Sequence, residues 1–316
     1  MKVLLPLLVL SVSLPAQETV IKVDVDLVNV LCSVRNKGNG LVGNLEKNDF
    51  KVFEDGKEQE IKYFTRETDL PLTIGLLVDT SKSQENLIET EKRAAYQFFK
   101  QVLRKKDMAF LMQFGAEAEL LQDDTNSPQL LQDGLNQLRL SVPMGGLHPG
   151  PVPTQQNMAG TILFDAIYLA ATEKLKGEVG RKVMVVITDG DDTGSRTRID
   201  KAIEAAQKSD SIIYFIDYED PRYHGGFGAI SMGGGGSDMK KMSSETGGRV
   251  FRVDRKNSLE EIFKDLQDEM RSQYAIGYTS PKSSKDGSYH KLDIRVANKD
   301  YKVQARKGYY AIPAEN

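Results

Sequence analysis

The sequence predicts an α/β protein: a doubly wound, mostly parallel sheet inserted in a small β module that the N- and C-terminal segments form together. Three observations carry this. In the middle of the chain, continuous apolar runs at 72–78, 183–187 and 212–216 alternate with stretches of helical periodicity at 87–103, 162–175 and 199–207. Runs apolar on both faces, each followed by an amphipathic helix, are the pattern of a parallel sheet covered on both sides. At the two ends the period is two instead, interrupted by turn residues, and neither end is large enough to hold a core alone. The length of 316 residues, 40% of them hydrophobic, suits one large domain or two unequal ones.

Taken in order, Met1-Lys2, the apolar run 3–14 and Pro15-Ala16-Gln17 read as a secretory signal peptide over residues 1–16. The run is too short for an anchor, since about 20 apolar residues are needed to span a bilayer. The mature chain is therefore expected to be secreted or periplasmic. From 20 to 34 the alternation changes phase, apolar at odd positions through Leu27 and at even ones from Val28, which calls for a bulge or a change of sheet. Cys32, the single cysteine, falls on this stretch and reads as a small buried hydrophobe. Runs 50–53 and 61–64 flank Glu54-Asp55-Gly56-Lys57 and predict a hairpin with Asp-Gly in its turn. Runs 292–296 and 301–305, separated by Asn298-Lys299-Asp300, predict another. Segments 17–68 and 272–316 are expected to pack as one β module around a central domain at 69–271, whose remaining strands are 108–114 and 249–253.

Charge narrows the function classes. The 42 basic and 45 acidic residues give a net charge of -3, and the basic side chains are scattered among acidic ones. That argues against nucleic acid as a partner.

The chemistry gathers where strands end. The first central run closes on Asp79-Thr80-Ser81-Lys82-Ser83, a carboxylate and two hydroxyls at alternate positions. Thr161, at the start of a helix, and Asp189, at the end of the 183–187 run, supply two more oxygens on the carboxyl edge, where doubly wound sheets bind ligands. Hard oxygen donors, only two of them charged, suit Mg²⁺ with part of its water shell retained, and leave one coordination position open.

Asp79-x-Ser81-x-Ser83, then Thr161, then Asp189 resembles the metal-ion-dependent adhesion site of von Willebrand factor A domains, in the same order and on the same elements. The flanks are similar to bacterial secreted proteins related to that family: Asp49-Phe50, Glu54-Asp55-Gly56 and Phe64 on one side, Gln273-Tyr274-Ala275-Ile276-Gly277-Tyr278 and Arg306-Lys307-Gly308-Tyr309-Tyr310 on the other. The resemblance implies the von Willebrand factor A (Rossmann-like) fold. It also implies that Ser81 and Ser83 bind the metal directly, that Thr161 binds directly or through water, and that Asp79 and Asp189 hold coordinated waters. The metal would be Mg²⁺, with Mn²⁺ or Ca²⁺ as substitutes, and a partner protein's Asp or Glu would complete the shell. Lys82 departs from the pattern, standing where many such domains have Gly.

Other motifs are weaker. Asp189-Gly190-Asp191-Asp192-Thr193-Gly194 with Asp200 imitates a calcium loop, but a strand enters it and the twelfth position is Asp, where an EF-hand has an entering helix and Glu. Ala229-Ile230-Ser231-Met232-Gly233 lacks the first glycine of a nucleophile elbow. His148, His224 and His290 are far apart without HExxH spacing, and there is no phosphate-binding GxxxxGK[ST] loop. The loops 141–160 and 218–238 are expected to rim the metal site. The leading expectation is a non-enzymatic, metal-dependent adhesion or protein-binding module. A structural protein whose metal only stabilises the fold, and a metal-assisted hydrolase, are the competing classes.

Overall fold

Alternating burial opens the folded chain. In the computed structural model, which describes residues 27–67, 70–141, 160–219, 235–280 and 287–311, strand β1 (Leu27–Arg35) buries Val28, Val30, Cys32 and Val34. Leu27 is exposed and the apolar residues keep the even phase, but Ser33 and Arg35 on the other face are buried as well; the odd-phase residues before Leu27 lie outside the described residues, as does 1–16. Three more strands follow: β2 (Phe50–Glu54), β3 (Lys57–Gln59) and β4 (Ile61–Glu67).

The central part then runs β5 (Leu72–Asp79), α1 (Ile88–Val102), β6 (Met108–Phe114), β7 (Ala118–Thr125), α2 (Pro128–Leu135), α3 (Leu163–Leu169), β8 (Arg181–Thr188), α4 (Ile199–Lys208), β9 (Ser211–Asp217), α5 (Gly235–Thr246), β10 (Val250–Arg252) and α6 (Leu259–Met270). The chain ends in β11 (Gln273–Thr279), β12 (Tyr289–Val296), β13 (Lys302–Ala305) and β14 (Gly308–Tyr310).

The central sheet has the order β10-β9-β8-β5-β6-β7, parallel except for the β6–β7 pair. All of β5 is buried. Leu76 and Val78 face a core with Phe98, Phe99 and Phe263 on one side, and Leu77 faces Phe110, Ile167 and Met242 on the other. β7 was not expected, because its acidic, half-exposed sequence lacks a clean alternation and its ladder is interrupted by register shifts. The helix expected at 162–175 is α3 followed by a π-helical turn (Ala170–Leu175). α6 was also unexpected, although Ser258 and Glu261 form a capping box that the sequence spells out.

Two antiparallel sheets, β13-β1-β11-β4 and β14-β12-β2-β3, each draw strands from both chain ends. They share one core, with Val30, Phe50 and Val52 from one end and Tyr274, Ile276 and Leu292 from the other. Both predicted hairpins need correction. The Asp-Gly turn, with Asp55 and Gly56 at φ 48° and 81°, returns β2 only onto β3. The apolar run 61–64 passes into the other sheet, where β4 pairs with β11. Likewise β12 pairs with β2 and β14, whereas β13 crosses over to pair with β1. Period-two alternation marks which face is buried; it does not say which neighbour supplies the ladder.

Charged side chains join the module to the central part. Glu269 of α6, fully buried, accepts from the Arg35 guanidinium at 2.6 Å, Arg249 at 2.8 Å, and the Ser33 and Tyr214 hydroxyls at 3.2 Å each. Arg181, also buried, donates to the Met270 and Leu70 carbonyls, and Asp107 takes Arg271 and the Leu72 amide.

Removing one member of a buried ionic cluster leaves the others uncompensated, so Glu269→Ala is expected to lower stability by roughly 3–5 kcal/mol in urea unfolding. A loss under about 1 kcal/mol would show that Arg35 and Arg249 find other partners. Deleting 272–316 removes both neighbours of β1. Amide exchange in 27–35 should then rise to unprotected rates, and unchanged protection there would mean that the N-terminal strands fold without the C-terminal ones.

Candidate metal-binding site

Strand β5 delivers Asp79 to the carboxyl edge of the sheet and buries it completely. One carboxylate oxygen, Oδ2, accepts from the Thr188 hydroxyl at 2.6 Å, and the other, Oδ1, accepts from the Ser81 amide at 2.8 Å. The second bond turns the chain sharply, so that Ser81 and Ser83 stand side by side with their hydroxyls 3.0 Å apart. Ser81 begins a 3-10 turn (Lys82–Gln84), yet its side chain makes no capping bond. Helix capping therefore does not account for these hydroxyls. Lys82 points outward and pairs with Glu85.

Asp189 follows β8 on the neighbouring strand, its Oδ1 accepting the Asp191 amide at 3.3 Å. Thr161 is buried two residues before α3. Its amide donates to the Thr193 hydroxyl at 3.1 Å and its carbonyl accepts from the Thr193 and Gly194 amides. Gly160 and Gly194 touch so closely that a Cβ on Gly160 would stand 2.9 Å from the Gly194 backbone, which holds the 160–161 stretch against the loop after Asp189. Thr80 fastens the first loop to β6 through the Phe114 carbonyl, and Ile162 bonds Gly115 beside it.

Two polar side chains beneath the loops escaped sequence reading. Gln84 is fully buried and Glu91 nearly so, and among the described residues neither the Gln84 amide nor the Glu91 carboxylate has a hydrogen-bond partner. Glu91 was legible in principle, being a carboxylate on the same α1 stripe as Ile88, Ala95, Phe98 and Val102.

A family model, that of the von Willebrand factor type A domain, matches residues 73–265. The chain belongs to this family. No curated protein matches it. Among solved structures, an aerotolerance-related membrane protein from Bacteroides fragilis, carrying multiple mutations to serines, is similar at 17% identity, 63% coverage of this chain, 98% of that one and a TM-score of 0.45. BatB from Bacteroides thetaiotaomicron is similar at 17% identity, with 64% of this chain, 100% of that one and a TM-score of 0.46. Proximal thread matrix protein 1 of the mussel byssus, described with a zinc-occupied MIDAS motif, aligns over 69% of this chain and 49% of its own at 13% identity and a TM-score of 0.48.

The electrostatics of this von Willebrand factor A edge are one-sided. Burial, and then the charge of Asp189, push the Asp79 carboxyl up to about 7. Glu91 is driven well above the usual carboxylate range by burial, Asp79 and Asp189 in that order. Asp217, at the end of β9, is raised to about 6 by burial and by Glu219. Both charges acting on Glu91 are negative, and its oxygens lack donors. A donor set of crowded carboxyls and paired hydroxyls fits a hard divalent cation.

The remaining motifs fall into place. In the calcium-like loop, Asp192 accepts from the Phe164 amide and the Ser195 hydroxyl, so it orders the start of α3. The elbow-like Ser231, His148, His224 and most of both rim loops lie outside the described residues. The end of the glycine-rich stretch is not free loop, since Gly235 opens α5 and packs on the Gly190 and Asp191 backbone.

A carboxyl raised from 3.8 to about 7 keeps its proton in the folded, metal-free chain while the unfolded chain has already lost it. The unfolded state binds fewer protons over that window, so metal-free stability should fall as pH rises from about 4 to 7, by roughly 1.4 kcal/mol for each pH step of one crossed. Urea unfolding in chelator at pH 5 and pH 8 checks this. Asp79→Asn should remove that share and leave a shallower decline from Glu91 and Asp217, and an equally steep decline in that variant would assign it to other groups.

Proposed function

We propose that this protein is a secreted, metal-dependent protein-binding module that holds an acidic residue of a partner through Mg²⁺. The observation that carries the reading is the crowding of the buried Asp79 and Glu91 carboxyls with Asp189, beneath the Ser81 and Ser83 hydroxyls that stand 3.0 Å apart on one loop. In this reading Ser81 and Ser83 bind the ion directly, Thr161 binds directly or through water, and Asp79 and Asp189 orient its waters. Mn²⁺ or Ca²⁺ would substitute. When bound, the ion would supply a positive, exchangeable coordination position for a partner's Asp or Glu.

The role is binding and not catalysis. Residues 1–16 would be removed on export, placing the protein in the periplasm or outside the cell; among the described residues no helix is long and apolar enough to cross a membrane. Residues 17–68 and 272–316 would form one unit that displays the central domain, 69–271. A metal that only stabilises the fold is the competing reading, and partner capture separates the two.

Calorimetry on the mature protein should show one Mg²⁺ or Mn²⁺ per chain and none in Asp79→Ala. Partner recovery from extracellular or periplasmic material should need Mg²⁺, fail in chelator, and fail for the Ser81→Ala, Ser83→Ala double variant with its metal-free stability unchanged. Capture by that variant in chelator would place recognition elsewhere, and metal binding without metal-dependent capture would favour the stabilising role.

A further inference from the structure

The terminal β module holds a second constellation, remote in sequence from the first and built from residues that the metal-ion-dependent site does not use. β2 ends at Glu54, and Asp55 begins its turn. β12 lies alongside, with Leu292 opposite Glu54, so His290 stands just past the ladder's end and beside the turn. The backbone knits the two together. The Asp55 amide donates to the Lys291 carbonyl at 2.9 Å, and the Lys291 amide donates to Asp55 Oδ1 at 3.0 Å.

The imidazole Nδ1 of His290 then lies 3.0 Å from Asp55 Oδ2 and 3.6 Å from Glu54 Oε1, and one ligand atom from each of the three residues falls within 4.8 Å of the others. Glu54 and His290 are 2% and 3% exposed. Asp55 is about one third exposed at 32%, which opens the cluster to solvent on one side. Glu54 Oε2, buried with its side chain, has no well-formed hydrogen bond among the described residues, although the Tyr278 and Tyr309 hydroxyls lie close enough to the carboxylate to interact with it. An unsatisfied carboxylate oxygen in the interior is costly unless a donor or a cation meets it.

We propose that Glu54, Asp55 and His290 form a second cation site, for a divalent ion of the zinc class, that clips the N-terminal turn to the C-terminal strand. One imidazole nitrogen with carboxylate oxygens is a zinc-type donor set, unlike the all-oxygen set around Asp79. Zinc holds such ligands at about 2.0–2.2 Å, so tetrahedral ligand atoms stand about 3.3 Å apart. The two observed separations lie on either side of that value.

Each ligand is already oriented by a second group, as metal ligands usually are. The Ser280 hydroxyl donates to Glu54 Oε1 at 2.8 Å, the Lys291 amide holds Asp55, and Ser288 Oγ lies 3.0 Å from His290 Nε2. If Nε2 carries the proton toward Ser288, the Nδ1 lone pair faces the two carboxylates, an arrangement that a cation between them satisfies. Tyr309 stacks on the ring with centroids 5.3 Å apart and fixes its plane. Ser288, His290 and Asp55 also line up as hydroxyl, imidazole and carboxylate, the order of a hydrolytic relay. A relay has no use for Glu54, whose Oε1 approaches Nδ1 and whose Oε2 is the second carboxylate oxygen left for a cation.

The test uses untagged mature protein carrying Asp79→Ala and Ser81→Ala, so that the first site does not contribute. Titration with Zn²⁺ should show one ion per chain with little Mg²⁺ binding, and X-ray absorption should show mixed nitrogen and oxygen ligands. Asp55→Asn places an asparagine, which tolerates the positive φ of that turn, and should weaken Zn²⁺ binding at least tenfold. Ser288→Ala should weaken it roughly 10- to 100-fold, the usual cost of losing an orienting partner. Zn²⁺ should raise the melting temperature of the background protein and not that of Asp55→Asn, whose metal-free melting temperature reports whether the variant still folds. No Zn²⁺ binding by the background protein, or equal binding in folded Asp55→Asn, would overturn the proposal. Ester hydrolysis lost in Ser288→Ala, without Zn²⁺ binding, would replace it with the relay.

Discussion

Two strands that run side by side allow this architecture to exist. β4 carries the chain out of the module and β11 brings it back, and they pair antiparallel with Gln273 opposite Glu67. The whole central sheet is therefore an excursion between adjacent strands, and its two ends must stay together. Arg181 spans the gap through the Leu70 and Met270 carbonyls, and Asp107 ties the Leu72 amide to Arg271. Because these groups are buried, each depends on the others for its hydrogen bonds. A second clamp, Glu269 with Arg35 and Arg249, fastens α6 to β1. Breaking either leaves charge in the interior, so the module and the sheet are held in place by polar necessity as well as by apolar burial.

The same sheet gathers like charges at its opposite edge. Asp79 and Asp217 end β5 and β9, Asp189 follows β8 between them, and Glu91 adds a fourth carboxyl from beneath. Burial makes Asp79, Asp217 and Glu91 local costs in the metal-free protein, offset by the apolar packing of β5 and its neighbours on both faces. A fold whose core is secure at mid-sheet can tolerate electrostatic strain at its rim. In the proposed function a bound cation would relieve that strain.

The module presents the contrasting case. Glu54, Asp55 and His290 sit at a junction between the chain's two ends, not at a strand edge facing a partner. Histidine in place of a third carboxylate changes the class of ion that would suit it. In the proposed readings the central edge would exchange a ligand with another molecule, and the module cluster would hold the chain to itself.

How much of this was legible in the sequence depended on whether the information was local. Apolar runs such as 72–78 and 183–187 announced buried parallel strands, since a strand buried on both faces has no polar phase. The even parity of Val28 to Val34 named the buried face of β1. Asp79, Ser81 and Ser83 were readable because one short loop spaces them, and Asp189 because it ends a clear apolar run. The partners of each strand were not readable. The run at 61–64 and that at 301–305 looked like returns of their nearest neighbours but joined the other sheet, because ladder energy depends on what lies alongside and not on sequence distance. Lys82 could be placed only when its pairing with Glu85 was seen. Glu91 was visible as an oddity on an apolar stripe, but its meaning came from the carboxyls above it. His290, without a nearby histidine or a metal motif, gained its meaning only when folding brought it against Asp55, 235 residues away. The sequence by itself determined the burial pattern and the loop chemistry, which repeat with local chain geometry. The tertiary structure decided which distant groups share a site, because long-range pairing is set by the packing of the whole core.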